Sequence, residues 1–161
     1  MSEPSTRPRR FFRPPTRNAL LTAHIMMSVG LLGDSAGFLA VAIRAARTDD
    51  PAVAVQLVKV LGMFATVFGI PLSFGALLSG LALGLGTKWG VFQYPWVVAK
   101  LLLIVSVMAV GGFVIGPAFT AMIDSGVDTT SRLIAAAAYD VAALGTATAL
   151  SVFRPGKRFR A

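Results

Sequence analysis

The chain has 161 residues, is 55% hydrophobic and only 14% charged, and carries a formal net charge of +8. Soluble domains hold about 25% charged residues, so a soluble basic domain and an intrinsically disordered chain are both excluded. The absence of Cys excludes disulfides, iron–sulfur clusters and thiol nucleophiles, and a lone His excludes a multi-histidine metal site within one chain.

Residues 1–17 hold five Arg and one Glu, and residues 154–161 hold three Arg and one Lys. The charges between them cancel, so the excess is two tails of +4 around a neutral apolar middle. Such tails read as anchors at anionic headgroups, at about 1 kcal/mol per basic residue, and not as a nucleic-acid surface. Residues 1–18 form the first tail, residues 19–153 the membrane domain and residues 154–161 the last tail. Arg9-Arg10-Phe11-Phe12 echoes a twin-arginine signal. The apolar stretch that follows exceeds the roughly 7–15 residues of a cleaved signal and contains Asp34, so it reads as an uncleaved first helix.

A membrane-spanning helix needs about 20 apolar residues, and four stretches supply them. The first, Ala19–Ile43, carries His24, Met26, Met27, Gly33, Asp34 and Gly37. Asp49-Asp50-Pro51 then reads as a helix start, with carboxylates at the positive dipole end and proline in the first turn. The second span lies inside Leu57–Leu85. A helix from Pro51 to Leu85 is about 52 Å long at 1.5 Å per residue, more than a core of about 30 Å needs. Its first turns therefore project beyond the core, and Pro71 is the expected kink. Trp89, Tyr94 and Trp96 cluster in the next loop as interfacial anchors. The third span, Val97–Phe119, carries Lys100 near its start, and Gly116-Pro117 is expected to bend or fray its end. The fourth, Leu133–Phe153, carries Tyr139 and Asp140. The fold class is all-α: a four-helix membrane bundle with both termini on the cytoplasmic side, following the basic tails.

Lipid gives helices no hydrophobic reason to associate, so close crossings at small residues matter. Gly33 with Gly37, Gly80 with Gly84, Gly112 with Gly116, and Gly75 with Ser79 all have that spacing. A charge at mid-membrane costs about 2.5–3.5 kcal/mol, so the intramembrane ionisable groups are the candidate functional residues. Counted from the span ends, they form two tiers: His24 with Lys100 near the cytoplasmic side, and Asp34 with Asp140 nearer the outside. Asp34 and Asp140, with Tyr139, are a candidate proton relay if the two carboxyl groups share a proton. His24 with Met27 is a candidate copper site, the less favoured of the cofactor readings. His24 is also a candidate axial haem ligand.

Leu-Leu-Thr-Ala-His24, the glycines at 30, 33 and 37, Pro71, the Gly80-Leu-Ala-Leu-Gly84 end and Trp96-Val-Val-Ala-Lys100-Leu together form a pattern. It resembles small four-span bacterial membrane proteins related to the CopD copper-resistance domain, most of all a branch described as predicted integral membrane proteins of unknown function. More distantly it is similar to HemJ-type protoporphyrinogen oxidases. That resemblance implies haem binding and activity at a first-span His and a third-span Lys, the places held here by His24 and Lys100. HemJ proteins continue after the His with an aromatic, Leu/Tyr/Pro/Arg-rich stretch; this chain reads Gly33-Asp34-Ser35-Ala36-Gly37-Phe38 there. The expectation is therefore a non-enzymatic protein of the bacterial inner membrane that binds haem or a metal through His24. The alternatives are an accessory subunit packing through glycine faces, in a homo-oligomer or larger complex, and a proton or small-solute transporter using the Asp pair.

Overall fold

The computed structural model describes residues 13–86, 94–125 and 128–153. Four helices in it are long and apolar enough to cross a membrane: α1 (Pro14–Ala46), α2 (Pro51–Gly86), α3 (Pro95–Asp124) and α4 (Thr130–Phe153). Each begins before the apolar stretch that announces it, and the first three also run past its end. Prolines open three of the four, at positions where a helix has no use for the missing N–H. Asp50 caps α2, its Oδ1 accepting from the N–H of Ala52 at 2.9 Å and of Val53 at 3.4 Å. Trp89 and most of both basic tails lie outside the described residues.

The helix α1 is the hub, packing along α2 on one side and α4 on the other, with α3 closing the bundle against α4. A stripe of Leu31, Ser35, Phe38 and Ala42 is buried on α1 at spacings of four, three and four. Alanines at 136, 137 and 143 of α4 allow the close approach. Met26, Val29, Leu78, Leu102 and Phe113 are more than 60% exposed, so the outward surface is the apolar one, as lipid requires. Hydroxyls within the spans bond back to their own helix: Thr66 donates to the Gly62 carbonyl, Thr120 to Gly116 and Thr148 to Leu144. That removes those hydroxyl protons from the hydrocarbon.

Neither proline inside a span breaks its helix. Pro71 follows a π-helical segment, Phe64–Gly69, and Pro117 follows another, Gly111–Ile115. In both, the π winding ends two residues before the proline. The last wide bonds run from the Ile70 N–H to the Ala65 carbonyl and from the Gly116 N–H to the Gly111 carbonyl. The next donor position is the proline itself, which has none. The wider turn accommodates the ring and lets α-helix resume, so the third span does not fray at Gly116-Pro117 and runs on to Asp124. The cost is at least one carbonyl in each segment without an intrahelical N–H partner.

Candidate functional site

The buried apolar residues fall into two clusters stacked along the bundle. One, on the side of the termini, joins Leu31, Val107, Ala143 and Leu144, with Leu72 packed against it. The other, on the side of the α1–α2 and α3–α4 hairpins, joins Phe38, Leu61, Ala118 and Ala137, with Phe64 and Ile115 against it. Between them, at one level, come Asp34 and Ser35 on α1, Gly69 on α2, Gly111 on α3 and Asp140 on α4. Both π-helical segments lie at this level. A hydrocarbon core about 30 Å thick, or ten residues either way at 1.5 Å each, centred here ends near His24, Ser79 and Lys100 on one side. On the other it ends near Arg44, Lys59 and Asp124. The layer is the midplane of the spans.

Asp34 and Asp140 each have a buried Oδ1 with no hydrogen-bond partner among the described residues. Asp140 is only 7% exposed. Asp34 turns toward α2, where Gly69 leaves room: its Oδ2 is 3.3 Å from the point a Cβ on Gly69 would occupy. The Oδ1 of neither bonds to the other, and Asp34 is turned into the α1–α2 seam. Tyr139 does not complete a relay with Asp140. Its hydroxyl donates to Ser106 Oγ at 2.7 Å, and Ser106 in turn donates to the Leu103 carbonyl at 2.8 Å. One position along a helix turns a side chain by about 100°, which carries Tyr139 to α3.

At the termini-side edge, His24 Nδ1 lies 2.9 Å from Ser79 Oγ. Ser79 donates to the Gly75 carbonyl at 2.6 Å, so its hydroxyl is left to accept the Nδ1–H of His24. Nε2 is then the lone-pair nitrogen of the ring. The ring fits because α2 has no side chain beneath it: His24 Cε1 is 3.0 Å from the point a Cβ on Gly80 would take. Lys100 is near enough to act on the ring electrostatically, and its Nζ sits 5.8 Å above the centre of the Trp96 ring. Tyr94 and Trp96 stand together with ring centres 6.2 Å apart.

The seam between α1 and α2 is a series of such notches. His24 meets Gly80, Met27 Sδ lies against Gly75, and Asp34 meets Gly69; in the reverse direction, Phe64 and Leu72 of α2 lie against Gly37 and Gly30. Met27 and His24 thus occupy separate notches. Of the seven glycines expected at crossings, Gly37, Gly75 and Gly80 are tight. Gly33 and Gly112 have nothing within 4 Å, and Gly116 meets only the Gly111 carbonyl of its own helix. The reason is rotational: the face of α1 that meets α2 is set by residues 24, 27, 34 and 37, and Gly33 lies off it. Ser79 was legible as a small packing residue, not as the partner of His24; counting both from their span ends is the signal that joins them. Gly69 and the π segments had no comparable signal beyond the prolines. Among the described residues, no group of three or more His, Cys, Asp or Glu side chains could hold a metal ion.

A family model described as "Predicted integral membrane protein (DUF2269)" matches residues 18–153. No curated protein and no solved structure matches the chain.

Proposed function

The chain belongs to this family of integral membrane proteins, and on that premise we propose that it moves protons, or a small cation, through the layer containing Asp34 and Asp140. The observation that carries this reading is the buried, partnerless Oδ1 on each carboxyl group. Both lie at the level where α2 and α3 are wound as π-helix and leave carbonyls without N–H partners. An acceptor left unmade in hydrocarbon is costly. A midplane layer in which unpaired acceptors outnumber donors is complementary to a proton, to water or to a cation. Because the Oδ1 of neither carboxyl group bonds to the other, passage between them runs through water admitted to the layer. The basic tails put both termini on the cytoplasmic side of a bacterial inner membrane. Infrared difference spectra of the reconstituted protein after a pH jump test proton uptake. Two carboxyl C=O bands are expected, one lost in Asp34→Asn and one in Asp140→Asn. A spectrum with no carboxyl band that responds to pH would overturn the proposal.

A second reading rests on the Ser79 bond to His24. Ligating histidines commonly fix one ring nitrogen in this way and present the other, and Lys100 is a cation near enough to meet a carboxylate such as a haem propionate. His24 Nε2 would hold the iron on one side. The absorption spectrum of the purified protein decides it: a Soret band lost in His24→Ala supports haem, and its absence removes the reading.

A further inference from the structure

Beyond the midplane, α2 and α3 part and leave a cleft of about 620 Å³ at the hairpin-side edge of the spans. Small-molecule sites run to about 300–1,000 Å³. At one wall Gly62 has no side chain and the Phe119 ring lies over it, with Cζ 2.9 Å from where a Cβ would stand. Ala54, Val55, Val58, Met122 and Ile123 make the rest of the lining apolar. Its two charged residues are Lys59 and Asp128, of opposite sign and both exposed. Asp128 is kept ionised: the N–H of Thr130 donates to its Oδ1 at 2.9 Å, and together with the Thr130 side chain holds the carboxyl below the usual carboxylate range. Lys59 lies ten residues from Gly69, which puts it at the headgroup level of a core about 30 Å thick.

We propose that this cleft binds one phospholipid whose headgroup carries both a phosphate and a primary ammonium. An acyl chain lies along Val55, Val58 and Phe119, the phosphate meets Lys59, and the ammonium meets Asp128. An anionic headgroup satisfies Lys59 but brings a negative charge, or a neutral hydroxyl, to Asp128. A headgroup with both charges satisfies both residues, and the apolar floor demands a lipid in place of a free phosphate. The charge pair selects the headgroup, and the apolar lining takes the chain.

Native mass spectrometry of the full chain in detergent tests this, with phosphatidylethanolamine and phosphatidylglycerol of identical acyl chains as probes. One retained phosphatidylethanolamine is expected, favoured roughly fivefold over phosphatidylglycerol, the scale of one exposed ion pair. Asp128→Asn should erase the preference, and Lys59→Gln should weaken retention of both lipids. Gly62→Leu should fill the cleft and release the lipid; if that variant fails to fold, the two exposed-residue variants still carry the test. Equal retention of the two lipids, unchanged by Asp128→Asn, would overturn the proposal. So would a lipid-free two-copy mass, which would mean that a second chain fills the cleft.

Discussion

Ser79 joins two helices with one hydroxyl: it donates within α2 to Gly75 and accepts from His24 of α1. Replacing it with Ala leaves a ring N–H without a partner at the edge of the core, which costs about 1–3 kcal/mol. Thermal unfolding of Ser79→Ala in detergent should show that loss, and His24→Ala should add little on top, since the two share one interaction. Asp140 behaves in the opposite way. It is buried with an oxygen that bonds to nothing, so Asp140→Leu removes an unsatisfied group while keeping similar volume. It should stabilise the fold by about 1–3 kcal/mol and abolish transport. Stability traded against activity is the expected mark of a functional residue. The sequence makes both residues visible as polar groups in apolar spans, and counting from the span ends puts Asp34 and Asp140 at one depth. It does not show that Asp34 turns into the α2 seam and that Tyr139 turns away to Ser106. Those depend on the rotation of each helix about its axis, which hydropathy does not encode.

At the scale of the element, the two π segments are the feature the chain pattern conceals. Prolines at 71 and 117 announce a disturbance, and the ordinary outcome is a kink or a helix end. The ends of both segments sit two residues before the proline, so the disturbance is absorbed by a wide turn and the helix continues. Pro71→Ala returns the missing N–H donor. It should leave the fold at least as stable and lower transport, because a carbonyl of the layer regains its partner; an unchanged transport rate would separate the π segment from function. The α1–α2 seam gives a second test. Phe64 Cε1 lies 2.7 Å from the Cβ point at Gly37, while Gly33 has open space. Gly37→Ala should therefore cost about 1–3 kcal/mol through overpacking. Gly33→Ala should be neutral or slightly stabilising, since Ala is the better helix former by about 1 kcal/mol. Chemical denaturation of the two variants side by side checks the contrast. The four-residue glycine spacing reads the same in both cases, and only the face that meets α2 distinguishes them.

For the molecule as a whole, four spans were legible because about 20 apolar residues in a row have few other uses. The neutral middle between two basic tails also fixes an expected orientation. The chain has no Cys, so single cysteines introduced at Thr16 and Phe153 should react with a membrane-impermeant thiol reagent only from the cytoplasmic side. Cysteines at Arg47 and Asp124 should react only from the opposite side. What sequence could not supply is the stacking of two apolar clusters with one acceptor layer between them, because that needs four helices in register. In the function proposed above, protons cross through this layer. The most direct measurement is the decay of an imposed pH gradient in liposomes that hold the protein and an entrapped pH-sensitive dye. Wild-type protein should collapse the gradient, and Asp34→Asn and Asp140→Asn should each slow the decay by about 100-fold, the scale of losing a positioned proton carrier. A wild-type rate no faster than empty liposomes, or a rate that survives both substitutions together, would contradict it.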